Sequence, residues 1–212
     1  MSIGAAVRRS FGPYERHVSE AWRRMFIDLD AFVAQMRRWT DATSILEIGC
    51  GEGAVTERLV RRYPNARIVS IDIAPNVGRL FRGSAADAAR VEFRQAFVED
   101  VVAMQPASFD LVILADVIHH VPPAMRDSVL SSARAALAPN GRMIFKDWAK
   151  RPTPIHLACE LADRYLTGDD VHYLTESELR AFARKVFGEA SVLDEAYVGP
   201  WKNNFALLLR AG

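Results

Sequence analysis

The stretch that most limits what this chain can become is Ile45-Leu46-Glu47-Ile48-Gly49-Cys50-Gly51-Glu52-Gly53. A short apolar run carries one acid and leads into three glycines at alternate positions, and Ala54-Val55-Thr56-Glu57-Arg58-Leu59 then reads as a helix. Strand, tight turn and helix start, in that order, let bare backbone approach a ligand closely. The helix start offers unpaired N–H groups, a seat for an anionic ligand group. Glu47 adds a carboxylate that can accept hydrogen bonds. The next strand-like run, Ile68-Val69-Ser70-Ile71-Asp72-Ile73, places Asp72 19 residues after Gly53, where it suits a ribose diol. Two other readings stay open at this point. Gly49-Cys50-Gly51-Glu52-Gly53-Ala54 also satisfies the G-x-G-x-x-A pattern of dinucleotide-binding turns, and a turn that only packs a helix could look the same.

The remaining chain narrows the choice. Apolar residues at spacings of three and four predict a helix over 14–39, with Trp22, Phe26, Phe32 and Met36 on its apolar face. Arg16, Arg23, Arg24, Arg37 and Arg38 lie between them. This helix is expected to pack across a sheet as a lid; its basic, aromatic character also fits contact with a membrane surface or a lipid-like substrate. Strands are expected at Ser44–Ile48, Arg67–Ile73, Val91–Phe97, Phe109–Asp116 and Arg142–Trp148. Helices are expected at 54–62, 76–82, 123–137 and 176–187, and the stretch between Phe97 and Ser108 reads as a loop. Phe109–Asp116 is nearly all apolar, as a central parallel strand buried on both faces should be. Thr175-Glu176-Ser177-Glu178 is a capping box. Only Gly199-Pro200-Trp201-Lys202-Asn203 separates the last two strands, Ser191–Val198 and Asn204–Arg210, so these must form an antiparallel hairpin. Residues 149–174 interrupt the alternation. The whole reads as one α/β domain with a doubly wound sheet.

The 212 residues are half hydrophobic and carry a net charge of +1. That is the profile of an ordinary soluble globular domain, with no general case for nucleic acid. Two cysteines, Cys50 and Cys159, form neither a metal-ligand spacing nor a disulfide framework, which suits a reducing, cytoplasmic setting. Met1–Arg9 is too short an apolar run for a signal peptide, and no stretch is apolar for long enough to span a membrane.

A dinucleotide enzyme needs two mononucleotide halves and usually a substrate domain, and this chain has one glycine-rich turn. It resembles the class I S-adenosylmethionine-dependent methyltransferases, in their small-molecule branch, from about residue 40 to 210. Four segments carry the likeness: Leu46–Gly53; Ile71-Asp72-Ile73; Phe109–Val121, which includes Ala115-Asp116-Val117-Ile118-His119-His120; and Leu137–Phe145. The resemblance implies a Rossmann-like seven-stranded sheet with its last strand antiparallel. An N-terminal helical cap (1–40) would precede the methyltransferase domain (41–212), with an acceptor-site insertion at about 149–174. S-adenosylmethionine would be the cofactor and S-adenosylhomocysteine the product. Gly49, Cys50, Gly51 and Gly53 would carry the methionine part, and Glu47 would sit beside its ammonium or be bridged to it. Asp72 would bind the ribose, Ile73 would pack on adenine, and Asp116 would lie near the transferred methyl. The family commonly has an aspartate near the end of strand three for the adenine amino group. Here Phe97 stands at that position; it could pack on the ring, with Val98 contributing backbone groups.

Transfer to a hydroxyl calls for a base. His119 and His120 follow the fourth strand, Asp147 follows the fifth, where it could pair with Lys146 or an arginine, and His156 flanks the insertion. These are the candidate catalytic residues. Asp116 and Asp147 lack an evident third ligand, so no metal is expected. The Asn/Asp-Pro-Pro-Tyr stretch of nucleic acid methyltransferases is not found after strand four. The expected partner is therefore a small acceptor, medium-sized and partly apolar, methylated on O or N. A lipid-like acceptor and peripheral membrane contact are compatible with the cap. A nicotinamide-dependent reductase and a non-catalytic S-adenosylmethionine-binding protein are the alternatives, and nothing in the sequence sets the oligomeric state.

Overall fold

A computed structural model describes residues 12–168 and 170–211; the opening Met1–Arg9 lies outside the described residues. The expected seven-stranded sheet is present: β1 (Ser44–Ile48), β2 (Arg67–Asp72), β3 (Val91–Gln95), β4 (Phe109–Ala115), β5 (Leu137–Trp148), β6 (Val192–Tyr197) and β7 (Asn204–Arg210). Their spatial order is β3-β2-β1-β4-β5-β7-β6. β1 to β5 run parallel, and β7 runs antiparallel to both β5 and β6. The first β1 connection goes outward to β2 and β3, and the chain then returns to β4 on the other side of β1. That reversal leaves a crevice at the carboxyl ends of β1 and β4, the place where such sheets bind ligands.

Alternation along the strands builds a core on each face of the sheet. Ile45, Leu111, Ile113, Ile144, Ala206 and Leu208 point to one face, under α2 (Leu29–Trp39) and α3 (Ala54–Arg62). Leu46, Val112, Leu114, Phe145, Leu207 and Leu209 point to the other. That face is covered by α5 (Val98–Met104), α6 (Arg126–Ala135) and α8 (Glu176–Phe187). The short α4 (Ala85–Ala88) and the insertion helix α7 (Pro154–Ala162) complete the set. Among the described residues no helix is long and apolar enough to cross a membrane.

Four local expectations are corrected. The helix over 14–39 is two helices, α1 (Glu15–Phe26) and α2, because Ile27 and Asp28 are extended and Asp28 caps α2 by accepting from the Ala31 N–H at 2.9 Å. The apolar spacing runs straight through this break, so periodicity alone could not show it. No helix forms at 76–82; that segment is a run of turns fastened to the glycine loop, with the Gly78 and Leu80 N–H groups bonded to the Gly51 and Glu52 carbonyls. The loop after β3 contains α5, started by Asp100 accepting from the Phe97 N–H at 3.2 Å. The helix over 123–137 is a 3-10 turn, Pro123–Met125, followed by α6.

Candidate active site

The glycine loop follows β1 directly. Gly49 and Gly53 have φ of +77° and +91°, a left-handed backbone that disfavours other residues. Crowding adds to this at Gly49, where a Cβ would lie 2.2 Å from Val117 Cγ2. At Gly51 a Cβ would meet nothing within 4 Å, so the outer surface of the loop is open backbone. Cys50 is buried, and burial raises its thiol far above the ordinary range. Glu47 lies under the loop, 3% exposed, and its Oε2 accepts from the hydroxyls of Thr56 at 2.6 Å and Ser70 at 2.8 Å. Burial pushes its carboxyl up to about 7, against the pull of those two bonds. Asp72, at the end of β2, accepts from the Gly51 N–H at 2.7 Å and the Ala74 N–H at 2.8 Å. Ile73 and Phe97, at the neighbouring ends of β2 and β3, are more than half exposed, whereas the Val98 side chain is buried in the core.

The second cluster lies where β4 and β5 end. Asp116 has φ +56°, a conformation that costs a non-glycine residue roughly 1–2 kcal/mol. Its N–H is bonded to the Lys146 carbonyl at 3.0 Å, and both its carboxylate oxygens lie 2.6 Å from Lys146 Nζ. Asp147, on the opposite side of the strand, is held by His119. His119 Nδ1 bonds Asp147 Oδ1, and the His119 and Trp148 N–H groups donate to the same carboxylate at 3.2 and 2.7 Å. Lys146 therefore pairs with Asp116, and the partner of Asp147 is a histidine. Burial opposes charge on both members of the His119–Asp147 pair. Their mutual attraction outweighs it, holding His119 above and Asp147 below their ordinary values. Tyr173 stacks on the His119 ring with centroids 4.8 Å apart and planes 17° apart, and the His120 ring lies 4.1 Å away on centroids.

His156 lies at the edge of this group, its ring meeting Tyr173 edge-on with centroids 5.0 Å apart. Trp148 Nε1 donates to His156 Nδ1 at 3.0 Å, so Nδ1 is an acceptor, and burial lowers the basicity of the ring. It braces Trp148 from behind. Asp116, His119 and Asp147 are a group whose ligand atoms lie within 4.8 Å of one another, so His119 supplies the third position that the sequence lacked. Here the Lys146 ammonium occupies Asp116 and the imidazole occupies Asp147, and the cluster is built as two ion pairs.

A cavity of about 240 Å³ joins these groups to α1. Trp22 and Phe26 of α1, Trp148, Asp116, His119 and Lys146 line it. The aromatic side chains form a chain of contacts, Trp22 to Phe26 at 5.3 Å and Phe26 to Trp148 at 6.0 Å. Ser19 and Asn204 also line it, and Ser19 Oγ and Asn204 Oδ1 are buried polar atoms with no partner in the protein. A larger hollow of about 450 Å³, at the break between α1 and α2, contains none of the candidate residues. Helix α1 is fixed at both ends. Glu15 pairs with Arg79, which also pairs with Glu52 of the glycine loop; Arg16 pairs with Glu57 and Glu20 with Arg58, both on α3. At its other end, Trp201 and Asn204 donate to the Met25 and Phe26 carbonyls, satisfying groups a helix terminus leaves unpaired.

Sequence reasoning passed over Lys146 as a member of the site, although a lysine after Met143-Ile144-Phe145 in a strand buried on both faces demands a charged partner. It had no signal for Ser19 or Asn204, which ordinary surface positions would explain equally well.

Residues 45–141 match the sequence family described as a methyltransferase domain. A ubiquinone biosynthesis O-methyltransferase of Xanthomonas campestris pv. campestris is 27% identical over 216 residues, covering 86% of this chain and 89% of that one. The 1,6-didemethyltoxoflavin-N1-methyltransferase of Burkholderia thailandensis was solved with 1,6-didemethyltoxoflavin and S-adenosylhomocysteine bound. It superposes with a TM-score of 0.64 at 17% identity, over 98% of this chain and 88% of that one. The pyocyanin biosynthetic protein PhzM gives a TM-score of 0.73 at 16% identity, over 99% of this chain but 62% of its own length. At these identities the solved structures speak to the fold alone.

Proposed function

We propose that this chain, as a class I S-adenosylmethionine-dependent methyltransferase acting on small molecules, methylates a hydroxyl oxygen of a partly apolar aromatic acceptor. The observation that carries the choice of oxygen is the buried His119–Asp147 dyad on the wall of an aromatic cavity shared with Asp116. An N-methyl acceptor would have less use for a histidine held in place by a carboxylate.

The residues present fit the cofactor. The open backbone at Gly51 gives the methionine part room, and Glu47 lies beneath the loop where a cation would draw off its proton. Asp72 keeps lone pairs for the ribose hydroxyls after accepting two backbone N–H groups. The exposed Ile73 and Phe97 side chains flank the adenine position from adjacent strand ends, and the Val98 backbone starts the helix beside it. When bound, the cofactor supplies an already activated sulfonium methyl. The protein's own part is to align the acceptor oxygen and accept its proton. With Nδ1 of His119 committed to Asp147, Nε2 is the nitrogen left to receive it, and the dyad contributes on the order of 10²–10⁴ in rate. His120 packs beside that ring, and His156 acts through Trp148.

In this reading the described residues 12–40 are a cap, the domain from residue 41 is catalytic and about 149–174 roofs the acceptor pocket. Trp22 and Met25 on α1 and Leu157 and Leu161 on α7 are exposed, which suits an acceptor with a lipid-like tail and contact with a membrane surface. Calorimetric titration with S-adenosylhomocysteine, with NAD and NADP in parallel, tests the reading. Binding of the homocysteine product that is lost in Asp72→Ala supports it. Binding of NAD instead would return the glycine turn to a dinucleotide role.

A further inference from the structure

The Lys146 ammonium is a charge on the cavity wall that the dyad does not use. It follows three core residues on β5, and only 1% of its side chain is exposed. Packing alone would be served by an apolar residue, without the cost of taking an ammonium out of water. Its two hydrogen bonds both go to Asp116, and an ammonium has three N–H groups. Asp116 is itself 38% exposed on its side chain and lines the same cavity. The ammonium is thus covered by one carboxylate that can turn toward solvent when another anion arrives. The titratable and charged groups around the cavity are Asp116, His119, His120, Cys159, Asp163 and, from α1, Arg23.

We infer that Lys146 determines acceptor specificity by holding the reacting oxygen as an oxyanion, so that the acceptors are phenols and enols with an acidic O–H. This rests on the O-methyl reading above and names its substrate class. The acceptor O–H bond breaks, the proton passes to His119 Nε2, and the electron pair stays on oxygen opposite the Lys146 ammonium. Asp116, displaced from Nζ, keeps its exposed position in water. A neutral alcohol gains nothing from this arrangement, because its conjugate base lies too high to form.

The test is binding, read by colour. The protein is saturated with S-adenosylhomocysteine, whose binding is measured first, and then takes up 4-nitrophenol, whose phenolate absorbs visible light. Wild type should lower the pH at which the bound phenol ionises by about one unit, a tenfold change worth about 1.4 kcal/mol. Lys146→Met should abolish that shift. Asp116→Asn should enlarge it, because Lys146 then lacks its counter-charge. If Lys146 only held Asp116 in place, the two variants would behave alike, and that result overturns the inference. An unshifted phenol in wild type also overturns it, as does failure of 4-nitrophenol to bind while S-adenosylhomocysteine binds. Failure of S-adenosylhomocysteine itself to bind would strike the methyltransferase reading instead.

Discussion

The two halves of the candidate site are built in different ways. On the side of the glycine loop, residues 47–57 and 70–74 do nearly all the work. The bonds are from backbone N–H groups and short side chains, and the loop's shape follows from three glycines. On the cavity side, α1 contributes Ser19, Trp22, Arg23 and Phe26, the ends of β4 and β5, the roof and the start of β7 contribute the rest, and the contacts are ion pairs and ring contacts. One half is set by local geometry and tolerates few substitutions. The other is a meeting of distant segments and can be re-cut residue by residue. Loops and caps that line a pocket are where substrate choice ordinarily varies.

If that contrast holds, damage to one side should leave the other intact. The largest separation is expected from His119→Ala, with a fall in kcat of roughly 10²–10⁴ while S-adenosylhomocysteine affinity stays near wild type; calorimetry and turnover on the same preparation would check it. In wild type the base must be neutral to act. Because Asp147 holds His119 above the ordinary histidine value, kcat/KM should rise with pH through a point higher than that value. The stabilising part of the pair has the opposite sense. It is fully present below the unfolded histidine value and is lost as pH rises through the folded one. Thermal melts that track activity upward with pH would contradict this.

A smaller effect, on the other side, is expected from Gly49→Ala. The new methyl meets Val117 and the backbone is left-handed, so a loss of about 1–3 kcal/mol of stability is expected. Weaker binding of S-adenosylhomocysteine should accompany it. Denaturant melts of the single variant and of Gly49→Ala with Val117→Ala would divide crowding from backbone strain, since only the crowding is relieved. Smallest is a fraction of a proton. Glu47, raised to about 7, should release a proton as the cofactor's ammonium arrives. Calorimetry near pH 7 in two buffers of different ionisation enthalpy would reveal it, and the difference should vanish well above pH 7. Equal heats in both buffers at pH 7 would mean that the ammonium lies elsewhere.

The same contrast explains what could be read from the amino acids. The strands, their succession along the chain and the closing hairpin follow from apolar runs and from the five residues between Val198 and Asn204, all local signals. The break at Asp28 was hidden because Leu29 and Phe32 continue the apolar spacing of Trp22 and Phe26 through two extended residues. Helix α5 was hidden because Glu99 and Asp100 read as loop residues, although the Asp100 carboxylate reaches back to the Phe97 N–H and closes the first turn. Among site residues, Gly49, Gly53 and Asp72 stand out by position alone. Pairing did not: Asp147 has Lys146 as its neighbour in sequence, but successive residues of a strand face opposite ways, and the partner is His119 from another loop.

Helix α1 carries Trp22 and Phe26 into the acceptor cavity, while its Glu15 shares Arg79 with Glu52 of the glycine loop. One rigid segment is therefore hinged to both compartments, and neither can be uncovered without disturbing the other. The Arg79–Glu52 pair is part-exposed and of the kind worth about 1 kcal/mol or less, while the two-pronged Arg79–Glu15 pair on the buried carboxylate is the firmer catch. Release of spent cofactor and of methylated product is therefore expected to be coupled, and stopped-flow release measured at low and high salt should show both steps quicken together as the ion pairs are screened.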